Sequence, residues 1–238
     1  MNEIQKQRAA FNRLVEAGVY TEDFAHGAPM VEFFSTIVLD VLSRMPAQGP
    51  VKVLDAGCGT GAWLTVLAER LALGRWPAEL AGFDLSEKMV AVAQAKLAGR
   101  VSADAIKQGS ALDPAAYQFP HVEGGFDLIV AFDMIQQLPP ARQAEAVDLI
   151  VAALRPGGRA VIFDHDRHSA YGRKMARKKF VTRYLFLPLV PRYYCHARYP
   201  KLAELAQALS RRGFDCRIHD HERLPKLALE IGTPLGGR

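Results

Sequence analysis

The residues Asp55-Ala56-Gly57-Cys58-Gly59-Thr60-Gly61 combine an acid with three alternating glycines, directly after the apolar run Val51–Leu54 and before an apolar helix pattern that opens at Ala62. That order reads as strand, tight turn, helix. Glycines at such a turn permit positive φ and let backbone approach a ligand without an intervening Cβ. The N–H groups of the following helix point at whatever lies over the turn. The ligand expected there is nucleotide-like. Gly57, Gly59 and Ala62 fit the dinucleotide pattern G-x-G-x-x-G/A, but Asp55 would set a carboxylate against a pyrophosphate, and like charges repel strongly in a dry site. The same carboxylate suits an ammonium or sulfonium group. Asp133, after the apolar run Phe126–Phe132, and His165 and His168, after Leu154–Asp164, could take a proton from a reacting hydroxyl or amine.

The elements around these residues alternate between strand and helix patterns. Expected strands are Val51–Asp55, Leu80–Asp84, Ala105–Gln108, Phe126–Phe132, a fifth within Leu154–Asp164, then Phe214–His219 and about Lys226–Ile231. Expected helices are Glu3–Ala17, Met30–Met45, Ala62–Leu73, Glu87–Leu97, Ala141–Leu154 and Lys201–Arg212. The run Gly18–Pro29 reads as a loop with two aromatics, including Tyr20. Such alternation predicts an α/β fold, a Rossmann-like three-layer sandwich.

With this order in place, Asp55-x-Gly57-x-Gly59-x-Gly61 resembles the first motif of the class I S-adenosylmethionine (SAM)-dependent methyltransferases, of the small-molecule type. Leu154-Arg155-Pro156-Gly157-Gly158 resembles the family's turn into its fifth strand, and the likeness runs over about Val51–Asp164. The resemblance implies a seven-stranded, mostly parallel sheet with an antiparallel last strand, and SAM as cofactor. It implies cofactor contacts at Asp55, Ala56, Gly57, Cys58, Gly59, Gly61, Leu85, Met89, Ser110, Ala111 and Phe132, with Asp84 on the ribose. Where the family often has an acid reaching the adenine amino group, this chain has Ser110. Where small-molecule members often carry histidines, it has Gln136-Gln137, so Gln136 becomes a substrate contact and the usual base is missing. Tyr20, Tyr193 and Tyr194 complete the expected acceptor pocket, and Asp133, His165 and His168 are the candidate catalytic groups, with His196 nearby in sequence.

The chain has 238 residues, half of them apolar, enough for one methyltransferase domain over 1–238 with a helical cap at about 1–48 and a lid insertion at about 167–200. The net charge is +5, while Arg167–Arg183 alone holds seven Lys/Arg and no acid, so the rest of the chain is slightly acidic. The aromatic run Phe180–Tyr194 follows. This segment reads as a lid over an anionic or lipid- or carrier-linked acceptor, as an interfacial element on anionic membrane, or as a solvated helix and dimer contact. Nucleic acid is disfavoured: Phe132-Asp133-Met134-Ile135 lacks the Asn/Asp-Pro-Pro-aromatic signature of enzymes that methylate base amino groups.

Three scattered cysteines, no signal-peptide pattern and no long apolar run suggest a cytoplasmic protein, with the inner membrane face as the one membrane contact considered. No metal site is expected, because Asp164-His165-Asp166 would alternate faces on a strand. Two other classes stay open: a nicotinamide-dependent oxidoreductase, and a catalytically silent SAM-fold binding protein.

Overall fold

The computed structural model describes residues 3–18, 27–45, 49–171, 173–174, 177 and 198–234. Two helices, α1 (Glu3–Glu16) and α2 (Ala28–Ser43), precede β1 (Val51–Ala56), α3 (Ala62–Leu73), β2 (Ala78–Asp84), α4 (Glu87–Lys96), β3 (Ile106–Gln108), β4 (Phe126–Phe132), α5 (Pro140–Ala152) and β5 (Leu154–Asp164). α6 (Leu202–Ser210), β6 (Asp215–His219) and β7 (Leu227–Gly232) complete the order. The seven strands form one sheet in the order β3-β2-β1-β4-β5-β7-β6. β1 pairs in parallel with β2 and β4, β2 with β3, and β4 with β5. β7 lies antiparallel to both β5 and β6, so it is the one reversed strand. The Rossmann-like sandwich read from the sequence is the fold observed.

Period-two alternation assigns the sheet's side chains to two cores. Leu54, Ile129, Ala131, Ala160 and Ile162 pack with α5 and α6 on one face. Val53, Leu128, Val130, Val161 and Phe163 pack with α2 and α3 on the other. The central strands are covered on both sides and therefore read as unbroken apolar runs. Phe34 of α2 is fully buried and meets Trp63 at 4.2 Å and Phe163 at 4.9 Å between ring centres. Trp63 in turn stacks on Phe132 at 4.1 Å. This aromatic layer ties α2 and α3 to the ends of β4 and β5.

The differences from the sequence reading lie at element ends. β2 starts two residues earlier than the run Leu80–Asp84, and β3 keeps only Ile106–Gln108. β5 runs through Pro156-Gly157-Gly158, with an irregular register against β4 between Phe126 and Leu128. The strand stops at Asp164, so His165 and Asp166 do not alternate on it. Asp166 is instead a cap: its carboxylate accepts from Leu202 N at 3.0 Å, at the start of α6, and from His168 N at 2.8 Å. Among the described residues, no helix is long and apolar enough to cross a membrane.

Because Phe34 joins three rings in one layer, Phe34→Ala should cost about 3–5 kcal/mol, the usual range for deleting a buried aromatic side chain. Urea unfolding of the full chain measures it, and a loss under 1 kcal/mol would show that the layer collapses freely onto the gap.

Candidate functional site

The parallel strands β1–β5 deliver their C-terminal ends to one edge of the sheet, and a cleft of about 760 Å³, counting space open to solvent, lies there. This is the expected crevice of an open α/β sheet. Gly57, Gly59, Asp84, Leu85, Met89, Ser110, Ala111, Phe132 and Asp133 line it. Asp55, Ala56, Cys58 and Gly61 do not line it; they form the strand end and turn beneath.

The turn is built on positive φ: Gly57 at 79°, Gly59 at 54° and Gly61 at 78°. A Cβ on Gly57 would come within 2.6 Å of Met134 Cγ, so backbone and side chain are already in contact there. A Cβ on Gly59 would meet nothing within 4 Å and would project into open space. Gly59 N donates to Asp84 Oδ2 at 3.0 Å, and Ser86 N donates to Asp84 Oδ1 at 2.9 Å. Lost hydration raises the Asp84 pKa to about 6, and these backbone donors oppose the rise.

Asp55 is in a harsher place. It is 1% exposed, and neither carboxylate oxygen has a hydrogen-bond partner. Burial, and then the charge of Asp84, raise its pKa to about 8. A buried carboxylate in this state is satisfied by a proton or by an incoming cation.

Asp133 follows β4 with φ of 55°, the left-handed region that side chains rarely adopt. Its Oδ1 accepts from Gln136 Nε2 at 2.7 Å, and its Oδ2 pairs with Lys226 Nζ. Behind it lies Asp164, fully buried, which accepts from Gln136 N at 3.0 Å and from His165 N at 3.0 Å. Burial, and then the charge of Asp133, hold Asp164 well above the usual carboxylate range.

The two candidate histidines stand apart from the cleft walls. His165 Nδ1 lies 3.0 Å from the Pro225 carbonyl, which fixes the tautomer with the proton on Nδ1, and the ring stacks on Tyr171 at 5.0 Å. His168 is largely exposed and faces Glu204 at 3.5 Å. Gln136 is buried behind Asp133 rather than lining the cleft. Tyr20, Tyr193, Tyr194 and His196 lie outside the described residues.

Two sets of contributing residues were not named from the sequence. The first lies on α1, part of the expected cap, whose Ile4, Gln7 and Phe11 form one wall of the cleft. Their i, i+3, i+7 spacing was a readable stripe, but nothing local says what the stripe covers. α1 is held by Gln7 Nε2 on the Gln137 carbonyl at 2.8 Å and by Ser86 Oγ on Asn12 Oδ1 at 2.6 Å. The second is Lys226, a buried cation that carries no local signal and reaches Asp133 across 93 residues of sequence.

The elevated acids set the sign of one pH effect. Asp55 and Asp84 bind protons more tightly folded than unfolded, so their contribution to stability is full below about pH 4 and is lost as pH rises through about 6 and 8. Asp55→Asn should therefore flatten the decline of stability between pH 5 and 9. At pH 9 it should leave the free protein more stable than the parent by on the order of 2 kcal/mol. Parallel unfolding curves for the two proteins at every pH would remove Asp55 from this role.

Comparison with known proteins agrees with this geometry. A family model described as a methyltransferase domain matches residues 28–218. The chain is 35% identical over 152 residues to nocamycin O-methyltransferase of Saccharothrix syringae, covering 63% of this chain and 47% of that relative. It is 30% identical over 146 residues to demethylmenaquinone methyltransferase of Lactiplantibacillus plantarum, covering 60% and 56%. The chain thus spans about half the length of these relatives. Magnesium protoporphyrin IX methyltransferase of Synechocystis, solved with bound SAM, superposes with a TM-score of 0.60 at 15% identity, covering 98% of each chain. The strand order, the glycine turn and the match over most of its length together make this chain a member of the class I SAM-dependent methyltransferases.

Proposed function

We propose that this protein transfers a methyl group from SAM to a small-molecule acceptor. The observation that carries the donor half is the Asp55 carboxylate, buried with no partner under a glycine turn whose Gly59 opens onto the cleft. When bound, SAM supplies an electrophilic methyl on a sulfonium sulfur. Asp55 would balance its positive charge, and Asp84 would accept from the ribose hydroxyls with lone pairs left beside its two backbone donors. Gly57, Gly59 and Gly61 let the chain approach closely, with Ala56 and Cys58 as the small residues between strand and turn. Leu85, Met89 and Phe132 would give the apolar walls, and Ser110 and Ala111 the adenine end. A dinucleotide would bring its pyrophosphate to the same turn, against Asp55, which speaks against the oxidoreductase reading.

The acceptor half rests on placement. Asp133 is the candidate group that touches the acceptor, with Gln136 behind it, while Tyr20, Tyr193 and Tyr194 are kept as acceptor contacts. His165 and His168 are kept as second candidates for the proton. With the acceptor atom held in line with the methyl group, positioning supplies much of the rate. The relatives named for nocamycin and demethylmenaquinone support a small-molecule acceptor. The cap over 1–48 and the basic insertion over 167–200 complete the single domain proposed for 1–238. In this reading the insertion meets a remote carboxylate, phosphate or carrier-linked chain of the acceptor, or an anionic lipid surface.

Calorimetry with SAM, S-adenosylhomocysteine (SAH) and NADH tests the donor, and labelled methyl transfer into a metabolite extract tests turnover; binding without any transfer would favour the silent SAM-fold protein. Asp84→Ala should weaken SAM binding by about 1.5–3 kcal/mol, the range for a lost hydrogen bond to a charged group. Gly59→Val should be worse, since its side chain would occupy the donor's space. Unchanged SAM affinity in a folded Asp84→Ala protein would sink the ribose assignment. Neutralising Arg173, Lys174 and Arg177 together should raise the acceptor KM and leave SAM affinity nearly unchanged. The effect should shrink as salt shortens the screening length from about 10 Å at 0.1 M.

A further inference from the structure

Lys226 stands immediately before β7, with its side chain 8% exposed, and its ammonium pairs with the Asp133 carboxylate. The same nitrogen lies 4.0 Å from the centre of the Phe132 ring. Asp133 N donates to Phe163 O at 2.9 Å, so the residue is tied to β5 as well. A left-handed backbone at a non-glycine residue is retained only where its surroundings hold it. Here three elements do so: β5 through Phe163, the turn after β4 through Gln136, and the approach to β7 through Lys226.

The polarity of this corner is one-sided. Gln136 is 6% exposed; its Nε2 is spent on Asp133, and its Oε1 is buried with no partner. Flipping the amide would turn that oxygen onto the carboxylate, so the assignment is fixed by charge. Among the described residues, this part of the cleft wall therefore offers the Asp133 carboxylate, while the nearby cation, Lys226, is already engaged with it. A hydroxyl or amine can donate here. A carboxylate or phosphate would meet like charge.

We propose that Lys226 is a positioning residue that fixes Asp133 as the recognition group for a neutral hydroxyl or an amine, so that the reacting end of the acceptor is protic rather than anionic. This rests on the methyl-transfer reading of the cleft. It also separates the two ends of the acceptor, since any anionic part is then remote from the reacting atom. Among the described residues, the charged groups around Asp133 are Lys226 and the buried Asp164. Burial and then Asp133 raise the Asp164 pKa, and Lys226 opposes that rise. Removing the ammonium leaves two carboxylates facing each other.

The test uses the full chain and three fragments that share a ring: benzylamine, benzyl alcohol and benzoate. Binding is read by NMR titration with and without SAH, and SAH binding itself by calorimetry. The amine and the alcohol should bind about tenfold or more tighter than benzoate, and Asp133→Asn should abolish that ranking. In Lys226→Met, the pH at which benzylamine binding is half lost on acidification should rise by about one unit, and Lys226→Arg should restore it. Benzoate binding as well as the others, none of the three binding at millimolar concentration, or an unmoved midpoint in Lys226→Met with only a lower Tm would each overturn the proposal. If SAH fails to bind, the donor reading falls separately, and the fragment ranking measured without SAH still decides this one.

Discussion

Asp55 is a carboxylate placed where water cannot reach it and where no donor meets it. Much else at the cleft follows from that constraint. The strand end is dry because β1 is central, covered on both faces and flanked by β2 and β4. The turn after it must be glycine-rich, because a side chain at Gly57 would strike Met134. The neighbouring acid, Asp84, can stay close only because two backbone N–H groups hold it. Burial without a partner holds the Asp55 carboxylate above its usual range, and the cost of ionising it there falls on the folded chain.

The cleft is closed by pieces that are distant in sequence. α1 leans on the turn Ile135–Gln137 through Gln7 and on the start of α4 through Asn12. Both contacts are polar and join residues far apart in the sequence, and between them Ile4 and Phe11 turn apolar surface toward the cleft.

How much of this could be read from the sequence depended on how local the cause was. The central strands β1, β2, β4 and β5 were legible because buried parallel strands carry short runs of mostly apolar residues. The glycine turn was legible because close backbone approach leaves few residue choices. Asp84 was legible as an acid at a strand end. Element ends were less so: β5 continues through Pro156-Gly157-Gly158, where composition suggests a turn, because pairing with β4 resumes on both sides of the irregularity. The reach of His165 and His168 was not legible, since it depends on the strand stopping at Asp164 and on Asp166 capping α6. Lys226 was invisible because its role is set by a partner on another strand.

The reversal of β7 has a topological consequence. A strand that runs with its neighbours presents its last residue at the working edge, followed by a loop into a helix. A strand that runs against them presents its first. Together with β6, which ends at His219, β7 makes a hairpin whose tip, residues 220–226, reaches that same edge. The tip joins two sheet-bonded strands with no helix between them, and it is anchored: Leu224 packs against the core around α2 and α3, and Pro225 and Lys226 reach His165 and Asp133. The reversed strand thus brings to the working edge side chains from late in the sequence that a parallel strand would have started at the opposite edge.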